Sequence, residues 1–355
     1  MKKLLLSMAM LAMLSTPVFA SGSSETAPET STNARPYEGQ DLVVATWGWS
    51  ASNLKKLSAN FEEKYGCTIL IDETNGNSDR LNKLMAQKNN PEIDVAILSD
   101  NFAQIGIQKG LFDKIDKSVV TSWDELYPFA QQAEGYGPSY SLVRYGILYN
   151  ADMVPEPKSY MDLFNGNYDG LLSLPDMAGT AGPYLLVSLA EDLGDSEENI
   201  DGAMKILEEN KDNVASFYMS GSTVQTGFTT GEVAAAVFMD MNLPLLNNSG
   251  LNIKWSNPTE GSFSAAATAN VVKGCENPEL AQLFVEYLIS EDVQNQVADV
   301  LSEAPCNSKA TMSAEKAQYL ASGEDAFASI KQFDLNYINE HKADWIKQFQ
   351  RSIAN

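Results

Sequence analysis

The chain has 355 residues, with 24 Lys and Arg set against 47 Asp and Glu, for a net charge of −23. Surfaces that contact phosphates need clustered Lys and Arg, so this balance argues against a nucleic-acid partner. The negative charge attracts cations in general and equally keeps a chain soluble, so it says little about a ligand.

Met1-Lys2-Lys3, an apolar run over 4–14 and the small-residue end Val18-Phe19-Ala20 make up a cleavable secretory signal, predicted over 1–20. The apolar run is shorter than the roughly 20 residues a membrane-spanning helix needs. Residues 21–37 are rich in Ser, Thr, Glu and Pro with almost nothing apolar, and read as a flexible tether. The mature chain is expected in the periplasm, and what remains is long enough for two domains. Cys67, Cys275 and Cys306 are spaced too widely for the usual zinc patterns. Two readings stay open, a Cys275–Cys306 disulfide with Cys67 buried, or three unpaired thiols.

An apolar strand over 42–47 runs into Trp47-Gly48-Trp49-Ser50. Leu54, Leu57, Phe61 and Tyr65 then recur at helical spacing over 53–65, and Gly66 stops the helix. A strand over 68–71, a helix over 80–87, a strand over 93–98 and a helix over 102–109 follow. A second α/β region has strands over 145–150, 171–174, 233–238 and 269–272. Its helices cover 183–193 and 200–210, and a further helix begins at Pro278. Strands alternating with helices indicate βαβ units and a mostly parallel sheet. Ligands of such sheets lie beyond the carboxyl ends of the strands, so 47–50 and 99–102 are cleft candidates.

Several segments in order resemble the type II substrate-binding proteins of ABC importers, in the group that includes binders of polyamines, ferric iron, thiamine and aminoethylphosphonate. They are Phe61-Glu62-Glu63-Lys64-Tyr65-Gly66, the run from Asp94 to Ser99 with Gly110-Leu111 after it, and Tyr168-Asp169-Gly170 leading to Pro175-Asp176. Gly231-Glu232-Val233, Val272-Lys273-Gly274 with Asn277-Pro278-Glu279, and Pro305-Cys306-Asn307-Ser308-Lys309-Ala310 complete the series. The resemblance implies a two-lobed α/β fold in which each lobe is a mixed, mostly parallel sheet flanked by helices, with two hinge crossings. Lobe one is expected over 38–143 and 264–308, and lobe two over 144–263 and 309–355. It also implies a monomer that takes a small-molecule solute to the permease subunits of an importer, without cofactor or metal. A sensor presenting its ligand to a receptor would share this fold.

Polyamine binders hold alkyl ammonium groups between aromatic faces and carboxylates, by cation–π attraction and charge-assisted hydrogen bonds. By resemblance, Trp47 occupies a cleft-lining aromatic position and Asp176 an amine-contacting carboxylate position, while Ser99 and Asp100 occupy polar contact positions. Trp47 and Trp49 are alternatively core residues, and Asp176 a helix cap. Asp240 ends a strand, and Tyr218, Ser220 and Thr223 lie in what reads as a loop able to reach the cleft. Two features depart from the polyamine pattern. Gly179 stands where a second carboxylate is expected, and Ser264-Ala265-Ala266-Ala267-Thr268 replaces an aromatic and acidic pair. A buried ammonium without a partner costs several kcal/mol, so the ligand carries one amine or another acid such as Asp100 or Asp240 substitutes. Arg144, near the first crossing, is a structural ion pair or a partner for a carboxylate or phosphonate. No Tyr-Tyr pair is present, which argues against ferric iron.

His341 is the one histidine, in a polar C-terminal helix and expected at the surface. Without it a Ser-His-Asp or Cys-His arrangement has no base. No G-x-S-x-G, Walker or G-x-G-x-x-G pattern occurs, so an enzyme is not expected.

Overall fold

The computed structural model describes residues 35–74 and 76–353. The expected signal and most of the tether lie outside the described residues. The tether's last residues are docked. Tyr37 donates its backbone N–H to Tyr65 O at 3.0 Å, and the two rings meet edge-on at 6.1 Å.

β1 (Asp41–Trp47) passes directly into α1 (Gly48–Leu57), earlier than the periodicity predicts. The helix breaks where the Ser58 hydroxyl donates to Leu54 O at 2.7 Å, then resumes as α2 (Ala59–Tyr65). Gly66 ends it at φ 78, the left-handed conformation that a Cβ disfavours. β2 (Thr68–Thr74), α3 (Asn77–Ala86), β3 (Val95–Ser99) and α4 (Asp100–Gln108) follow. β1 pairs in parallel with both β2 and β3.

β4 (Ser139–Asn150) is the longest strand among the described residues and is buried along nearly its whole length, as a strand covered on both faces is. β5 (Leu172–Pro175), α5 (Ala181–Asp192), α6 (Asp201–Glu209), β6 (Val214–Tyr218), α7 (Gly221–Thr230) and β7 (Ala235–Met239) then form parallel βαβ units. The segment read as a loop around Tyr218 is thus the end of one strand and the start of a helix. After α8 (Leu243–Asn248) and β8 (Ile253–Ser256), β9 (Phe263–Val271) returns antiparallel to β4 and β3. α9 (Pro278–Ile289), α10 (Glu291–Val300), β10 (Ala304–Pro305), α11 (Glu324–Ala328) and α12 (Leu335–Ser352) complete the chain.

The strands run β2-β1-β3-β9-β4-β7-β5-β6 in one hydrogen-bonded path, with β10 and β8 also on β4. The hydrophobic side chains nevertheless divide into two main cores. Leu142 belongs to the first and Val143 to the second, and likewise Ala266 and Ala265. β4 and β9 therefore cross side by side between the cores. A third, smaller cluster around Phe228 and Phe238 packs beside β6–β8.

The C-terminal segment, expected wholly with the second lobe, divides as well. Tyr319, Leu320, Ala321, Phe327 and Ile330 pack into the first core, while Ile338, Trp345 and Phe349 of α12 pack into the second. All three cysteines are buried and free. Cys275 sits beside Asp94, ahead of β3, and Cys306 near Asp100, just after it, so the strand's length separates them.

Candidate functional site

Five strands end on one cavity of about 400 Å³, because Trp47, Ser99, Pro175, Tyr218 and Met239 are the last residues of β1, β3, β5, β6 and β7 and all line it. This is where parallel α/β sheets present their ligand sites. The first core contributes Trp47 and Trp49, Asn77 and Asp79 of α3, Ser99, Phe102, the small residues Ala266 and Ala267, and Glu303. Facing them are Val143 and Tyr145 of β4, the Ala178–Ala181 turn, Tyr218, Met219 and Met239.

Trp47 and Trp49 stack with ring centroids 5.8 Å apart, and Trp49 is 57% exposed at the mouth. The Arg80 guanidinium carbon lies 4.8 Å from the Trp47 ring centroid. It is held there by hydrogen bonds to Ile97 O at 2.8 Å and Thr74 O at 3.3 Å. Burial pushes the Arg80 pKa down to about 10. Trp47 thus both packs and lines the cleft.

Asn77 donates from Nδ2 to Ser99 Oγ at 3.0 Å and accepts from Ser99 N–H at 3.1 Å. The same Nδ2 reaches Thr180 Oγ1 of the opposite wall at 3.5 Å. Tyr218 donates its hydroxyl to Val237 O at 2.7 Å, so it offers the cleft a ring rather than a polar group. Tyr145 stacks on Phe263 at 5.4 Å and stands among Asp100, Asp240 and Glu303.

Asp79 and Glu303 are the charged residues of the lining. Asp79 is exposed in the first turn of α3. Glu303 is only 6% exposed, and its carboxylate accepts from the Ser141 hydroxyl. Among the described residues no Lys or Arg pairs with Glu303 or lines the cavity. Burial pushes the Glu303 carboxyl up to about 7, the Ser141 hydrogen bond opposes this, and the charge of Asp240 adds to it. Ser302, just before it, sits at φ 59 in the left-handed region, a conformation maintained only when its surroundings enforce it.

Of the residues singled out from sequence, Trp47, Trp49, Ser99 and Tyr218 come together here, and the others lie elsewhere. Asp176 accepts from Ala178 N–H at 2.8 Å, closing the turn before α5, and does not line the cavity. That turn is tight, since a Cβ on Gly182 would lie 2.2 Å from Asp176 O. Asp100 accepts from Asn101 N–H at 2.8 Å and Ala266 N–H at 3.4 Å and faces a separate cavity of about 40 Å³. Asp240 is 1% exposed and paired with Arg144 at 3.0 Å, which resolves Arg144 as a structural ion pair. Ser220 shares a 2.8 Å hydrogen bond with Ser222 at the exposed start of α7, and neither it nor Thr223 lines the cavity.

Asn77, Asp79, Phe102, Tyr145, Thr180, Met219, Met239 and Glu303 were not found from sequence as site residues. Phe102 lay within a segment already marked as a strand end. Glu303 directly precedes the Ala304-Pro305 motif, but nothing local says that it turns inward. His341 lies outside the lining, between Tyr337 at 4.0 Å and Trp345 at 6.2 Å. Among the described residues no three His, Cys, Asp or Glu side chains gather to hold a metal ion.

Residues 56–322 match the family model described as bacterial extracellular solute-binding protein. The putrescine-binding periplasmic protein of Escherichia coli (strain K12) is 23% identical over 299 residues, covering 77% of this chain and 80% of that one. A crystal structure described as an ABC transporter from Clostridium perfringens ATCC 13124 is 31% identical, with a TM-score of 0.76 over 88% of this chain and 99% of that one. The spermidine/putrescine substrate-binding protein of a Streptococcus pneumoniae ABC transporter shares the fold at a TM-score of 0.70 and 20% identity, over 88% of this chain and 99% of that one. A cleft at the strand ends and the match over most of the chain agree: the chain belongs to the bacterial extracellular solute-binding proteins, and is a solute-binding component of an ABC importer rather than an enzyme.

Proposed function

We propose that the cleft captures a small, amine-bearing, polyamine-like solute in the periplasm and delivers it to the membrane permease of an ABC importer. One observation carries this reading: the cavity has aromatic walls, and the charged residues among its lining are both acids, Asp79 and Glu303. Aromatic faces attract a desolvated ammonium by about 1–2 kcal/mol, and a carboxylate adds a charge-assisted hydrogen bond. The name of the Escherichia coli relative, a putrescine binder, points the same way. An amino acid-like or phosphonate solute loses its main support, because Arg144 is occupied by Asp240.

The lobes then meet along β4 and β9, with 38–142 and 266–330 on one side and 143–265 with α12 on the other. Solute bound to one wall stabilises closure onto the other, and the closed form is what the permease recognises. A melting-temperature screen with putrescine, spermidine, γ-aminobutyrate, thiamine, aminoethylphosphonate and ferric salts tests the reading. Putrescine and spermidine are expected to raise the melting temperature. Stabilisation by aminoethylphosphonate or ferric salts, with none by putrescine or spermidine, would contradict it.

A further inference from the structure

We infer that Glu303 receives the ammonium group of the solute, and that the cleft is built for a cation bearing no carboxylate or phosphate of its own. The inference rests on the amine reading above and assigns its chemistry to one side chain. Glu303 is an acid buried in the cavity lining without a cationic partner, so its ionised form is costly unless a cation arrives to meet it. The Ser141 hydroxyl occupies one side of the carboxylate, and Ser302 holds its backbone in a left-handed conformation. The group is thus positioned in advance of the ligand. Asp79, by contrast, stands exposed at the rim, where water screens its charge.

The same inventory disfavours an anion. A buried carboxylate or phosphate needs a cationic partner or several donors, yet among the described residues no Lys or Arg lines the cavity, and two of its polar side chains are already engaged. Asn77 is bonded to Ser99 and Thr180, and the Tyr218 hydroxyl to Val237 O. Helix starts favour negative charge only weakly; those of α3 and α4 already carry Asp79 and Asp100, and those of α5 and α7 carry no acid.

Titration calorimetry with n-butylamine, putrescine and γ-aminobutyrate tests both halves. In the unaltered protein the two amines are expected to bind, and γ-aminobutyrate at least tenfold more weakly than putrescine. Glu303→Gln, similar in shape and without charge, is expected to lose tenfold or more in amine affinity. Glu303→Asp keeps the charge but withdraws it, and is expected to fall between; it serves alone if the Gln variant does not fold. Equal amine affinity in the Glu303 variants and the unaltered protein overturns the anchor while leaving the amine reading intact. γ-Aminobutyrate binding as tightly as putrescine overturns the exclusion of anions. Failure of the unaltered protein to bind either amine removes the amine reading itself, and this inference with it.

Discussion

Arg144 Nε lies 3.0 Å from Asp240 Oδ2, and the same guanidinium donates to Tyr319 O at 2.8 Å. Arg144 stands where β4 passes between the cores, and its reach to Tyr319 ties the second core's strand ends to the first core. Its guanidinium also lies 5.2 Å from the Trp255 ring centroid, and Trp255 in turn packs on Gly146. Asp240 is nearly inaccessible, so removing Arg144 strands a buried charge. Arg144→Met is expected to destabilise the protein by about 3–5 kcal/mol, and adding Asp240→Leu to recover much of that. Chemical denaturation of the single and double variants checks this, and an Arg144→Met protein as stable as the parent would refute it.

The two tryptophans are expected to separate binding from folding. Trp49→Ala should lower amine affinity tenfold or more with stability nearly unchanged, since the ring is largely in solvent. Trp47→Ala should lose affinity and also about 1–3 kcal/mol of stability, because the ring covers the buried Arg80 guanidinium. Asp176→Ala should do the reverse of Trp49→Ala. It removes a turn hydrogen bond worth about 1 kcal/mol while leaving affinity within threefold. Calorimetric affinity set beside denaturation midpoints for the three variants decides the matter.

Acid and alkali are expected to act in opposite directions on folding and on binding. Burial raises the carboxyls of Asp100 and Asp240 to about 6 and that of Glu303 to about 7, from 3.8, 3.8 and 4.5. Between roughly pH 4 and 7 the folded protein therefore holds more protons than the unfolded chain, and stability of the unliganded form falls as pH rises through that window. Amine affinity should rise over the same range, since the ammonium needs Glu303 ionised. The groups around Glu303 are Ser141, Tyr140, Tyr145, Cys306 and Asp240. Of these only Asp240 titrates in that window, and Arg144 holds it. Melting temperatures and titrations at pH 5.5 and 7.5 test both signs, with Glu303→Gln expected to flatten the binding dependence. Affinity that is stronger at pH 5.5 would count against the ionised anchor.

α12 belongs to the second core but fastens onto the first. Lys342 Nζ donates to Gly179 O at 2.8 Å and lies 4.7 Å from the Phe102 ring centroid, and Asn339 Nδ2 donates to Asn101 O at 2.9 Å. Burial pushes the Lys342 pKa down to about 8, partly opposed by Asp176. Lys342→Ala is expected to favour an open form, enlarging the unliganded radius of gyration and lowering solute affinity roughly three- to tenfold. Small-angle scattering with and without solute checks this, and identical curves for parent and variant would speak against a bridging role.

Much of the fold was legible because β1, β3, β5 and β7 are apolar runs ended by turn residues, and the family's motifs fall at their ends. β6 was missed because Val214-Ala215-Ser216-Phe217-Tyr218 is short and mixed, and its parallel pairing with β5 comes from elsewhere in the chain. That error turned the start of α7 into a loop and Ser220 and Thr223 into cleft candidates. For the site, aromatic residues at strand ends were readable and the acids were not. Asp176, Asp240 and Glu303 all lie beside strand ends or a family motif. Whether a carboxylate closes a turn, meets an arginine or faces the cavity is decided by partners far off in sequence, here Arg144 for Asp240 and Ser141 for Glu303.

A crystal structure grown with putrescine bears most directly on the central claim. The expected result is one solute per chain in the cleft between Trp49 and Tyr145, with a nitrogen about 2.7–2.9 Å from a Glu303 oxygen. An empty cleft, or putrescine held only on the outer surface, would contradict it.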